Sequence, residues 1–320
     1  MFIELGPDQT RQYIDAVAVY TALEEARGAA ASYAGAMFAR TIRGASYIIR
    51  TTPSGTQKSL GVLTDENADM VERFNAKKKT AEDRVRSLAQ ELAKHERLNR
   101  ALRVGRTPVI VVDMLQAIAK AGLSEHFRVV GTHALYAYES AASVLIPNDA
   151  LATRDVDLLL DTRKQVKFLT KMKRLESSFL GVLQKVDKTF RLRPNQLYTA
   201  VNDKGFEVDV IRRLASDKDP HPLKRSDSED DFWAVQVSMG ERMLSTRPFE
   251  QIVISTSGSM ARMRTIHPLD FARLKRELGS LPFRDPAKYR KDILQAQAIT
   301  DMVREYLPHL MDQPAPAAPG

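Results

Sequence analysis

The 320-residue sequence predicts an α+β chain: a mixed sheet with helices forms a core, flanked by an N-terminal helical region with a small β-hairpin and by a C-terminal helical region. Three observations predict it. Apolar residues recur every three or four positions towards both ends, short apolar runs of strand length crowd the middle, and Pro or Gly stands where one pattern gives way to another. The expected divisions are 1–106, holding the hairpin and a long charged helix, a core at 107–265, a helical region at 266–312 and a disordered tail at 313–320.

Taken in order, Tyr13, Val17, Tyr20 and Leu23 place one apolar face on a helix read from Pro7 to Arg43. SYIIRTT and QKSLGVL flank Pro53-Ser54-Gly55, whose fixed and permissive backbones suit a hairpin turn. Thr64 and Asp65 can cap a helix that ends near Gly105 and carries a thin apolar stripe of Val71, Phe74, Ala81, Val85, Leu88 and Leu92. Pro108 opens the helix VIVVDMLQAIAKAGL, which leads through Gly122 into the strand FRVVG. Beyond Asp161 come a lysine-bearing helical stretch from Arg163 to Val186, strands at FRLRP, LYTAVND and GFEVDVIRR, and strands around AVQVSM, EQIVIST and ARMRTI. His267-Pro268 begins the helical end of the chain, and DQPAPAAPG is Pro/Ala-rich, as disordered segments are.

The balance of 48 Lys+Arg against 40 Asp+Glu gives a formal charge of +8, which favours polyanionic partners such as nucleic acid or nucleotides. The basic residues of the long helix can track a phosphate backbone, although a mixed-charge helix is more often a solvated face. The absence of cysteine excludes disulfides, thiolate zinc sites and a cysteine nucleophile. The N-terminus carries acids where a signal peptide has a basic region, and no run approaches the ~20 apolar residues of a membrane span. The expectation is a soluble, cytoplasmic protein without a membrane partner.

The chemistry is concentrated in FRVVGTHALYAYESAASVLIPNDALATRDVDLLLD. Asp155 and Asp157 stand at i and i+2 in an apolar strand, so both carboxylates point to one face while Val156 and Leu158 pack on the other. Two adjacent like charges beside a core call for a cation, and hard oxygen ligands suit Mg²⁺ or Mn²⁺. The Gly131-Thr132 turn between a strand and a helix is a place where backbone approaches a ligand and free helix N–H groups meet an anion, such as a triphosphate. A third carboxylate, Asp209, sits in the short strand of GFEVDVIRR; if that strand adjoins the first, it completes the metal site and takes a proton from an attacking hydroxyl. Glu207 shares its face and competes for the role.

An hGT turn, then hDhD, then hDh from Phe127 to Arg213 resembles the DNA polymerase β-type nucleotidyltransferase superfamily. The interval between Gly131 and Asp155 is longer than in small members, with SAASVLIPNDALA as the insertion, and Thr132 stands where Ser is commoner. The wording looks closest to the bacterial AbiEii-like, GSLOT-containing nucleotidyltransferase toxins, which also carry a Phe-Ala-x-x-Lys element and a later basic helix with an aspartate; Phe271 to Lys275 and Arg284 to Asp292 match. The resemblance implies a nucleotidyltransferase catalytic core at 107–265 and nucleotide contacts from 266–312. It places Lys275 on the triphosphate, and Lys288 and Asp292 in the nucleotide pocket. It implies transfer of NMP from an NTP to an acceptor hydroxyl with loss of pyrophosphate, the acceptor being RNA, a tRNA 3′ end, in a toxin or phage-defence effector with an antitoxin or other partner protein. Proteins and small molecules are alternative acceptors, and an idle nucleotide- or RNA-binding module or a scaffold are the non-enzymatic readings.

Other residues have structural readings. His133 at a helix start more often packs or caps, Tyr136 and Tyr138 suit a helix core, Glu139 stands one turn from Tyr136, and Trp233 more commonly closes a core than stacks on a base. Alternation turns Arg154 away from the two aspartates, leaving it a weak substrate contact.

Overall fold

The computed structural model describes residues 2–151, 153–164, 167–168, 170–172, 178–215, 234–282 and 284–311. Trp233, the DQPAPAAPG tail and part of the Arg163–Val186 stretch lie outside the described residues. Chain contacts define two compact units, Arg11–Ala101 and a discontinuous one built from Met1–Thr10 with Leu102–Gly320.

After the two-residue strand β1 (Ile3–Glu4), helix α1 (Pro7–Ala31) buries Ala16, Tyr20, Leu23 and Ala26, the three-and-four spacing that a one-sided helix needs. The expected extension of this helix to Arg43 is incorrect. Met37–Ile42 is a strand, β2, paired antiparallel with β3 (Ala45–Thr51) through Arg43 and Gly44, whose positive φ values of 52° and 83° match the twist of a tight hairpin. β4 (Gln57–Val62) adds a third strand in the order β2-β3-β4, so the predicted hairpin is the second half of a meander. Helix α2 (Asp69–Leu102) starts later than the predicted cap. Asn67 closes a turn there instead, accepting from the Thr64 N–H at 2.8 Å and donating to the Val62 carbonyl at 2.9 Å. Of its 34 residues, Leu92 and Asn99 are buried, so the apolar stripe is as thin as read. Pairs such as Arg73–Asp69 are exposed and contribute little to stability.

The discontinuous unit continues with α3 (Val109–Lys120), entered through Pro108, then β5 (Phe127–Val130), a 3-10 turn over Gly131–Ala134, and α4 (Leu135–Ala142). The insertion read from the sequence holds β6 (Val144–Leu145), which pairs with β1, and α5 (Asn148–Leu151). Glu139, buried in α4, clamps this segment: it pairs with Arg106 and accepts from the Ile146 N–H at 2.6 Å, while Arg106 also donates to Asn148 at 2.6 Å. β7 (Asp155–Leu160), α6 (Phe179–Gln184), β8 (Arg191–Arg193), β9 (Gln196–Val201), β10 (Glu207–Arg212) and β11 (Val235–Gln236) follow.

They build a sheet of order β5-β7-β10-β9-β8 with β11 beside β10. β7 is parallel to β10 and antiparallel to β5, which makes the sheet mixed, as the sequence predicts. Val156, Leu158, Val208, Val210 and Ala200, all fully buried, share a core with Phe127, Phe179 and Ile118. α7 (Gly240–Ser245) leads into the hairpin β12 (Pro248–Ile254) and β13 (Met260–Ile266). Two packed helices follow, α8 (Pro268–Gly279) and α9 (Pro286–Tyr306). Each opens on Pro, and Asp285 caps α9 by accepting from the N–H groups of Ala287 and Lys288 at 2.9 and 3.1 Å. Among the described residues no helix is long and apolar enough to cross a membrane.

Candidate active site

Alternation in β7 buries Val156 and Leu158 and turns Asp155 and Asp157 to the opposite face. The parallel register of β10 sets Glu207 opposite Asp155 and Asp209 opposite Asp157. Ligand oxygens of Asp155, Asp157 and Asp209 all lie within 4.8 Å of one another, so the three predicted carboxylates converge. Glu207 does not compete: Arg193 takes it as an ion-pair partner, whereas Asp209 accepts a 2.6 Å hydrogen bond from Thr199 on β9.

The cluster is electrostatically strained. Burial, then the charges of Asp155 and Asp209, push the Asp157 carboxyl up to about 7, and burial raises Asp209 despite the Thr199 hydroxyl. Three hard oxygen donors this close, with Asp157 and Asp209 reluctant to ionise, fit a divalent cation. Raised from 3.8 to about 7, Asp157 holds its proton in the folded state where the unfolded chain has lost it, so its contribution is full below pH 3.8 and is lost as pH rises through 7. Metal-free protein is expected to melt roughly 5 °C lower at pH 8 than at pH 5, and millimolar Mg²⁺ to remove most of that difference. A melting temperature insensitive to Mg²⁺ at pH 8 would contradict a cation-binding cluster.

Gly131 has φ 68°, and a Cβ there would lie 2.3 Å from Asp157 Oδ2. Glycine is therefore required both by conformation and by the approach of the carboxylate. Thr132 is buried, and its hydroxyl is oriented from α9. The Ala150 carbonyl only accepts, so the amide nitrogen of the buried Gln295 faces it at 2.6 Å, and the same nitrogen donates to Thr132 Oγ1 at 3.1 Å. The Thr132 hydrogen is left to point at another acceptor. We expect Gln295→Met to raise KM for NTP about fivefold with kcat nearly unchanged, and to have no further effect in a Thr132→Val background. An equal effect in both backgrounds would mean that the amide does not act through the hydroxyl.

The C-terminal helices bring cations to this face. Asp292, 2% exposed, binds Lys275 at 2.8 Å and Arg284 at 2.6 Å, fixing both. The positive charges of Lys275 and Lys288 act on Asp157, and Lys291 feels Asp155 and Asp157 while burial and Lys275 depress its pKa. Gly131, Thr132, Lys275, Lys288 and Asp292 thus all lie with the carboxylates in one unit, Asp292 as the anchor of two cations. Thr199, Arg284, Lys291 and Gln295 received no role from the sequence. The spacing of Lys288, Lys291 and Gln295 by three and four along α9 was the available signal for two of them.

The structural readings hold for His133 and Tyr138. His133 is buried between the rings of Tyr136 and Phe206. Its Nδ1 lies 3.0 Å from the Asp155 carbonyl, which makes it the donor, and burial lowers its pKa to about 4. The buried Tyr138 donates to the Ile266 carbonyl at 2.8 Å. Arg154 is exposed and borders a cavity rather than the carboxylate face.

A mixed sheet with helices and a three-carboxylate cluster beside a glycine turn is consistent with a nucleotidyltransferase. Residues 110–318 match a family model described as nucleotidyltransferase, and the chain belongs to that family of enzymes, whose substrate is an NTP. No curated protein and no solved structure matches the chain significantly.

Proposed function

We propose that this nucleotidyltransferase moves NMP from an NTP to the 3′ hydroxyl of an RNA, with tRNA as the expected acceptor, and uses Mg²⁺ or Mn²⁺ bound by Asp155, Asp157 and Asp209. The observation that carries the reading is the convergence of those carboxylates on the sheet face that carries the Gly131-Thr132 turn, within reach of the Lys275 and Lys288 charges. When bound, the cation supplies charge neutralisation for the phosphates and for the developing pyrophosphate.

The chain's own groups do the rest. The Gly131-Thr132 turn presents backbone N–H groups and the oriented hydroxyl to the β and γ phosphates. Lys275, held by Asp292, supplies a fixed positive charge, and Lys288 adds a second one in the nucleotide pocket. Asp209, oriented by the Thr199 hydroxyl, accepts the proton of the acceptor hydroxyl. The new bond joins that oxygen to the α-phosphorus, the bond to the bridging oxygen breaks, and pyrophosphate leaves with the electron pair.

Two observations support RNA: the net charge of +8, and Arg154 and Lys204 beside the carboxylate strands, neither with an ion pair or side-chain hydrogen bond among the described residues. The motif likeness to AbiEii-like proteins extends the proposal to a toxin or phage-defence role with an antitoxin partner. The test incubates the protein, and an Asp155→Ala/Asp157→Ala variant, with each labelled NTP, Mg²⁺ and total tRNA. Label on RNA that vanishes with the variant or with EDTA supports the reading, whereas label confined to protein moves the acceptor to a polypeptide.

A further inference from the structure

A cavity of about 510 Å³ opens at the N-terminal edge of β7 and β10, bordered by Arg154, Lys204, Asn202 and Phe206 and, from α3, by Asp113. It adjoins the carboxylate cluster through the backbone. Arg154 precedes Asp155 and its carbonyl accepts from the Glu207 N–H at 3.0 Å. The Phe206 ring lies 6.0 Å from that of His133, which in turn bonds to the Asp155 carbonyl. One side of the cavity is rigid, because Asn202 donates to Asp187 at 3.1 Å and accepts from the N–H groups of Lys204 and Phe206 at 3.0 and 2.9 Å. Asp113, Arg154 and Lys204, by contrast, have no hydrogen bond or ion pair from their side chains among the described residues, and burial raises the pKa of Asp113.

An aromatic ring, two exposed cations and a deeper carboxyl recognise a planar base carrying phosphates. Alternation sets Phe206 with the buried Val208, on the face away from Asp155, Asp157 and Asp209. A ligand lodged there lies across the strand edge from Asp209, which suits a flexible chain that bends over the edge better than a small rigid molecule. We infer that this cavity seats a nucleotide of a single-stranded polynucleotide acceptor, one or two residues before its reacting 3′ end. The inference rests on the proposed RNA acceptor.

The test compares the full chain with Phe206→Leu, with Arg154→Glu/Lys204→Glu and with Lys204→Ala, an exposed change that spares the fold, using labelled NTP, Mg²⁺ and a single-stranded RNA oligonucleotide. KM for the oligonucleotide is expected to rise about tenfold in the first two variants and about threefold in the third, with KM for NTP within about twofold of wild type. A 4-thiouridine placed one or two residues before the 3′ end should crosslink to the peptide containing Phe206. Transfer to RNA with oligonucleotide KM unchanged in all variants overturns the cavity assignment and leaves the RNA acceptor standing. Label on protein or on a small molecule, and none on any RNA, overturns the acceptor and the cavity assignment together.

Discussion

Asp157→Asn is expected to lower NMP transfer on the order of 10³-fold while raising the melting temperature of the metal-free protein. The two effects share one cause. Asp157 sits between Asp155 and Asp209 with its carboxyl pushed up to about 7, so the folded chain holds a group that resists ionisation unless a cation arrives. Asparagine keeps the size and one acceptor oxygen but removes the charge, relieving the repulsion and deleting the ligand. Transfer of labelled NMP and thermal melting in EDTA check the pair. Activity within tenfold of wild type would remove Asp157 from the metal site, and a lower melting temperature would show that the cluster is not under repulsion.

Gly131→Ala is expected to cost roughly 10²-fold in transfer and to lower the melting temperature by about 5 °C. Its Cβ would stand 2.3 Å from Asp157 Oδ2 at a φ of 68°, so the turn or the carboxylate must move. Gly122→Ala is the control: its φ is 69°, yet nothing lies within 4 Å of the added carbon. That variant carries the conformational cost alone and should lose stability while keeping activity. Equal activity losses in the two variants would mean that backbone strain, rather than the approach to Asp157, accounts for the Gly131 effect.

The three carboxylates were legible in the sequence because each stands in a short apolar strand, where alternation alone fixes the face. Their convergence was conditional, since it depends on β10 lying parallel to β7 in a register that sets Asp209 opposite Asp157. Thr199 was invisible for the same reason: its role comes from an antiparallel partner strand. Gln295 and Lys291 depend on how α9 docks, which a single helix face does not specify. β2 was misread because Met37–Ile42 follows an alanine-rich helix with little to mark the change except Gly35 and the Arg43-Gly44 turn. Lys275 and Asp292 were legible only through family likeness; no spacing between residues on different helices announces an ion pair.

The division of the chain into a contiguous unit, Arg11–Ala101, set within a discontinuous one has a consequence for the order of events at the ribosome. Residues 11–101 emerge as a set that can collapse while the rest is still being made. The first residues have to wait: β1 needs β6, and Glu4 accepts from the Tyr306 hydroxyl at 3.2 Å. The carboxylates of β7 and β10 likewise exist for a time without Lys275, Lys288 and the Gln295 amide, all of which are translated later. Nucleotidyl transfer that needs these groups therefore waits until α9 has been released and has docked.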